Sequence, residues 1–132
     1  MKKIVFTMAT LSLVACTQVP SQIDGRQAFF AFDSAEISKD ARKEFKKQAL
    51  YLKKNPDTQI IIEGHCDERG SSEYNLALGA LRAGNAEHAI IQEGVESERI
   101  KTISYGKENP IYPGTGEEVW AKNRNATTVV KK

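Results

Sequence analysis

The densest run of reactive side chains is Gly64-His65-Cys66-Asp67-Glu68-Arg69-Gly70. Three kinds of chemistry fit it. His65, Cys66 and Asp67 are all metal-ligand types, but adjacent residues rarely converge on one ion. The only other histidine, His88, falls on the wrong part of the following helix. His65 with Asp67 could form an acid–base dyad for hydrolysis. A serine nucleophile in a strand-to-helix elbow and a second base are both missing, so no catalytic residue, metal or cofactor is assigned. The third reading is a ligand loop between the end of a strand and the start of a helix. Backbone N–H groups there favour an anion such as a carboxylate, and Asp67 can take an ammonium group. Further on, Asn75, Leu78 and Arg82 are spaced i, i+3, i+7 and project from one helix face. An arginine there can grip a carboxylate bidentately. Asp67 and Arg82 would together recognise a zwitterion; a plain salt bridge between the two fits the same spacings.

Periodicity outlines the elements that must position these residues. Gln27–Phe32 reads as a first strand. Ser38 is an N-cap, and Ala41, Phe45, Ala49 and Leu52 form the stripe of an amphipathic helix stopped by Asn55-Pro56. Its basic residues Arg42, Lys43, Lys46 and Lys47 read as a solvated face. Thr58–Glu63 contains Ile60-Ile61-Ile62, which suggests a strand covered on both faces. A polar loop from Gly64 to Gly70 follows. Ser71 or Ser72 caps a second helix to about Gln92, with Leu76, Ala80, Ala83 and Ile90 expected on its core face and small Gly79 and Ala86 beside them. Ile100–Tyr105 is a third strand, Gly106–Gly116 a long loop, Glu117–Lys122 a short helical piece and Asn125–Val130 a last strand. The expected fold class is α/β, an α+β sandwich ordered β-α-β-α-β-(α)-β, with a four-stranded mixed sheet and two main helices packed on one face.

The amino terminus reads as an address. Met1-Lys2-Lys3 is a basic n-region, and Ile4–Ala15 is mostly apolar. That run is shorter than the ~20 residues of a membrane span, so residues 1–15 read as a signal peptide. Leu13-Val14-Ala15-Cys16 resembles the bacterial lipobox. The resemblance implies cleavage before Cys16 and a lipid on its sulfur, and Thr17 implies sorting to the outer membrane. Residues 16–26 would be a lipidated tether, its ten extended residues reaching about 35 Å. Cys66 is then left alone, which excludes a disulfide framework. Without Lys2 and Lys3 the charges balance at 17 basic and 17 acidic residues. A neutral chain is a poor candidate for nucleic acid or a polybasic membrane surface.

The stretch from Ile61 to Asn75 resembles the signature of the OmpA C-terminal-like domain family. So do Asn75-x-x-Leu78-x-x-x-Arg82-Ala83, Ser104-Tyr105-Gly106-Lys107-Glu108-Asn109-Pro110 and Asn123-Arg124. The Glu68-Arg69-Gly70 variant and Tyr105-Gly106-Lys107-Glu108 are most similar to its peptidoglycan-associated lipoprotein branch. The resemblance spans about residues 27 to 130 and identifies 27–132 as the OmpA-like domain. It implies non-covalent binding of peptidoglycan through the diaminopimelate of the stem peptide, which tethers the outer membrane to the wall from the periplasmic side. It implies Asp67 and Arg82 as the main ligand pair, with Phe32, Asp33, Cys66, Arg69 and Leu78 lining the pocket. Asn75, Asn123 and Arg124 would be supports. An alternative role is docking to Tol-system proteins; hydrolysis of wall peptides is the weaker one. Cys66 stands where the family often has Thr, Gly79 where it has Ser, and Asn125 where it has a second arginine.

Overall fold

A computed structural model describes residues 18–132. The expected signal peptide and the lipidated Cys16 lie outside the described residues. The elements are β1 (Gln27–Phe29), α1 (Lys39–Lys54), β2 (Ile60–His65), α2 (Ser72–Gln92), β3 (Ile100–Gly106), α3 (Glu117–Asn123) and β4 (Asn125–Val130). The sheet order is β1-β4-β2-β3. β4 pairs antiparallel with both β1 and β2, and β2 pairs parallel with β3. This is a four-stranded mixed sheet in an α/β fold.

Local chemistry sets the helix ends. The Ser38 hydroxyl accepts from the Ala41 N–H at 3.1 Å, and the Ser71 hydroxyl accepts from the Tyr74 N–H at 3.1 Å. Asn55 closes α1 by donating its side-chain amide to the Tyr51 carbonyl at 2.8 Å. Ala41, Phe45, Ala49 and Leu52 of α1 and Ala83, Ala86, Ala89 and Ile90 of α2 pack on Ala28, Ile60, Ile62 and Ala126 of the sheet. These strand residues share one face of the pleat, so both long helices cover the same side. Gln48, fully buried on α1, accepts from the Thr128 hydroxyl at 2.5 Å and so carries a polar link into the core. The small residues of α2 bring it very close to the sheet. A Cβ built on Gly64 would lie 1.8 Å from the Gly79 carbonyl oxygen.

Several expectations need correction. The first strand ends at Phe29, not Phe32, because β4 starts at Asn125, the partner of Phe29. β2 runs on to His65, which is buried in the sheet and stacked on Tyr105 at 5.4 Å, not in a polar loop. Ile61 is only half-buried, since among the described residues no helix covers the second face of β2 beside Lys101 and Val129. On α2, Leu76 is 52% exposed and Ala80 is exposed as well. The buried face instead runs through Asn75, Leu78, Gly79, Arg82, Ala83, Ala86, Ala89 and Ile90. Ligand-type residues and core residues therefore share one face, where two had been expected. Part of the tether is also structured. Ile23 is fully buried in the core, Asp24 accepts from the Val130 N–H at 2.8 Å, and Arg26 pairs with Glu44 at 2.5 Å.

Candidate ligand-binding site

Beyond the carboxyl end of β2 lies a cavity of about 540 Å³. Phe32 and Asp33 line it from the segment after β1. Cys66, Asp67, Arg69, Gly70 and Ser71 come from the β2–α2 loop, and Tyr74, Asn75, Leu78 and Arg82 from the first half of α2. All seven residues expected as ligands face this one space, and Asn75 lines it too.

The loop is held from several sides. Gly70 turns with φ +95°, a conformation that favours glycine. The Asn75 amide donates to the Arg69 carbonyl at 2.7 Å and the Ser71 carbonyl at 3.0 Å. The Cys66 N–H donates to the Gly106 carbonyl at 2.8 Å, and its thiol donates to the Asn75 carbonyl at 3.3 Å. Lys107 donates to the Gly70 carbonyl at 2.6 Å. Asp33 adopts φ 52°, and its carboxylate accepts from the Tyr74 hydroxyl.

Arg82 is 1% exposed and forms no ion pair with Asp67. Its guanidinium donates to the carbonyls of Ser34 at 2.9 Å, His65 at 2.9 Å and Ala31 at 3.1 Å. A guanidinium has five N–H groups, so two remain uncommitted beside the cavity. Burial pushes the Arg82 pKa down, yet arginine keeps its charge in proteins.

Asp67 is buried as well. Arg69 donates to it through its backbone N–H at 3.0 Å, Nε at 3.2 Å and Nη2 at 2.9 Å. Arg124 Nη1 stands 3.5 Å away. Burial works to raise the carboxyl's pKa, but the Arg69 bonds and charge, with help from Arg124, outweigh it and hold the group below the ordinary aspartate range. The sign follows from linkage. A lowered folded-state pKa contributes stability above the unfolded value, ~3.9, and that contribution fades as pH falls through the folded value. Asp67→Asn is therefore expected to be less stable than wild type at neutral pH, with the gap closing in acid. Urea unfolding at pH 7 and near pH 3 measures this.

The Arg69 guanidinium is sandwiched between the Phe32 ring at 4.0 Å and the Trp120 ring at 4.1 Å. Trp120 Nε1 donates to Glu68 at 2.9 Å, and the Thr115 hydroxyl donates to the same carboxylate. Arg124 lies behind the cavity, bonding the Phe30 carbonyl at 2.9 Å and Glu117 at 3.2 Å. Asn123 exchanges two bonds with the Tyr112 backbone, at 2.9 and 3.0 Å, and fixes the long loop. Neither Asn123 nor Arg124 lines the cavity. Sequence reasoning missed Gly70, Ser71 and Tyr74 as lining residues and Trp120 as the cover on Arg69. Trp120 is the chain's single tryptophan, on the short helix before Asn123-Arg124, and that was the available signal.

The OmpA family matches residues 29–124. A peptidoglycan-associated lipoprotein of Agrobacterium fabrum is 45% identical over 106 residues, which covers 80% of this chain and 60% of that protein. One from Pasteurella multocida is 38% identical over 98 residues, covering 74% and 65%. The chain thus spans roughly three fifths of the length of these curated relatives. Among solved structures, the peptidoglycan-associated lipoprotein from Burkholderia pseudomallei superposes with a TM-score of 0.77 at 40% identity, covering 80% of this chain and 90% of that one. The C-terminal domain of Helicobacter pylori MotB superposes with a TM-score of 0.75 at 25% identity, covering 81% and 84%.

Proposed function

The chain belongs to the OmpA family, and from that premise we propose that it binds peptidoglycan non-covalently through the diaminopimelate of the stem peptide. A lipid on Cys16 would hold it to the outer membrane, so that the two attachments tether membrane to wall on the periplasmic side. The observation that carries this reading is the pairing of Asp67 and Arg82 on one cavity. The free end of diaminopimelate bears an ammonium and a carboxylate on one carbon. The two uncommitted N–H groups of Arg82 suit the carboxylate. Arg124 Nη1 at 3.5 Å is beyond good hydrogen-bond distance of Asp67 Oδ2, so that oxygen keeps acceptor capacity for the ammonium. Phe32 and Leu78 supply apolar wall for the methylene chain. Names of relatives that carry the word peptidoglycan point to the same ligand.

Binding without turnover fits the side chains present. The Cys66 thiol is pushed up in pKa by burial, and its hydrogen is given to the Asn75 carbonyl, so it is a poor nucleophile. The Ser71 hydroxyl is engaged as a helix cap. Many copies, each binding weakly, would add up to a firm and reversible tether.

Co-sedimentation with diaminopimelate-type sacculi tests the reading. Residues 17–132 are expected to pellet, and Asp67→Ala, checked for folding by circular dichroism, to stay in solution. Equal pelleting of the folded variant would show that the cavity is not the site. Loss of an acyl label in Cys16→Ser tests the anchor separately.

A further inference from the structure

The charge balance that the chain shows without Lys2 and Lys3 conceals a segregation. α1 carries seven Lys and Arg against two acidic residues, Asp40 and Glu44. Arg42, Lys43, Lys46, Lys47, Lys53 and Lys54 follow helical spacing and share the face opposite the buried Ala41, Phe45, Ala49 and Leu52. Lys47 is half-buried and the other five are exposed. Among the described residues none of the six forms an ion pair, and Glu44 is already taken by Arg26 at 2.5 Å. Half-buried Leu50 lies within the same stripe.

The second observation is where the chain becomes fixed. Ile23 is fully buried, so only residues 17–22 separate Cys16 from the core. Fully extended, they reach about 25 Å at most. The entering chain runs beside α1, where Arg26 grips Glu44. A domain held on so short a leash meets its own bilayer at high effective concentration, so a face that binds only weakly from solution can then stay docked.

We propose that the basic face of α1 docks on anionic headgroups of the membrane to which the chain is anchored. The domain then lies against the bilayer. No residue lining the ligand cavity comes from α1, so the cavity stays open to the wall. The inference rests on the lipid-anchor reading for its geometry, but its test uses no lipid anchor, so failure of one is distinguishable from failure of the other.

The test uses residues 17–132, which contain the whole described core from Ile23 to Ala126. Flotation would be measured with vesicles of phosphatidylethanolamine and phosphatidylglycerol, and with vesicles of phosphatidylethanolamine and phosphatidylcholine. Binding to the anionic vesicles alone is expected, and it should weaken steeply with salt. Lys43→Glu/Lys46→Glu/Lys47→Glu should lower it on the order of a hundredfold. Lys101→Glu/Lys122→Glu/Lys132→Glu changes net charge equally and should lower it far less. Both triple variants alter surface residues, and circular dichroism checks their fold. Absence of anionic preference, or equal loss in the two triple variants, would overturn the proposal. So would loss of sacculus binding in the α1 variant with vesicle binding intact, which would mean that the basic face reads the anionic wall.

Discussion

Arg82→Leu is expected to destabilise the domain by about 3–5 kcal/mol, measured by urea unfolding. The loss comes from three carbonyls left without their donor. Those of Ala31 and Ser34 belong to the turn after β1 and that of His65 to the end of β2, and one guanidinium gathers them around the cavity. Leucine keeps only the apolar stem, so the deficit combines unmet hydrogen bonding with the space that the guanidinium vacates. Arg82→Lys restores the charge without the planar fork. It should recover part of the stability while leaving sacculus binding low, because an ammonium cannot hold the backbone and a carboxylate together. A neutral outcome for Arg82→Leu would mean that water replaces these bonds freely and that the arginine is there for ligand alone.

The second large effect belongs to Gly64→Ala, which should cost about 3 kcal/mol or more. Its Cβ would press into the backbone of Gly79, 1.8 Å from the carbonyl oxygen and 2.6 Å from the carbon. Gly64 sits on β2 between β3 and β4, where the pairing with β3 shifts register, so neither sheet nor helix can yield alone. At Gly79 the nearest obstacle is the Ser104 hydroxyl at 2.3 Å, a side chain that can move at the expense of its 2.7 Å bond to the Leu76 carbonyl. Gly79→Ala should therefore cost less. A methyl added at Gly84 would meet nothing within 4 Å, and the residue lies mid-helix, so Gly84→Ala should stabilise by up to about 1 kcal/mol. Thermal melts of the three variants give this ranking or contradict it.

Much of the fold was legible where one residue type has one strong local use. Ser38 as a cap, Ser71 as one of two cap candidates, Asn55-Pro56 as a stop and Asn125–Val130 as a strand all match the structure. The face of α2 was not legible, for a physical reason. Hydrophobic periodicity assigns polar residues outward, and here Asn75 and Arg82 are buried because backbone carbonyls satisfy them. Leu76 was placed inward by the same rule and lies half in solvent. His65 looked like loop because its neighbours are polar, although β2 pairing continues through it. Five of the seven expected cavity residues fall within the family signature from Ile61 to Ala83, and Phe32 and Asp33 followed from the family resemblance alone. Trp120 reaches the loop from α3, 51 positions after Arg69, and no local pattern connects them. Ile23 was hidden among polar tether residues, with Val19 the other apolar side chain there, too sparse a pattern for periodicity to assign.

The most direct measurement compares two soluble stem peptides identical except at the third residue, one with diaminopimelate and one with lysine. Lysine keeps the side-chain ammonium and lacks the carboxylate beside it. If Arg82 takes that carboxylate while Asp67 takes the ammonium, calorimetric titration of residues 17–132 should show binding of the diaminopimelate peptide and about hundredfold weaker binding of the lysine peptide. Equal affinity for the two would contradict zwitterion recognition by Asp67 and Arg82.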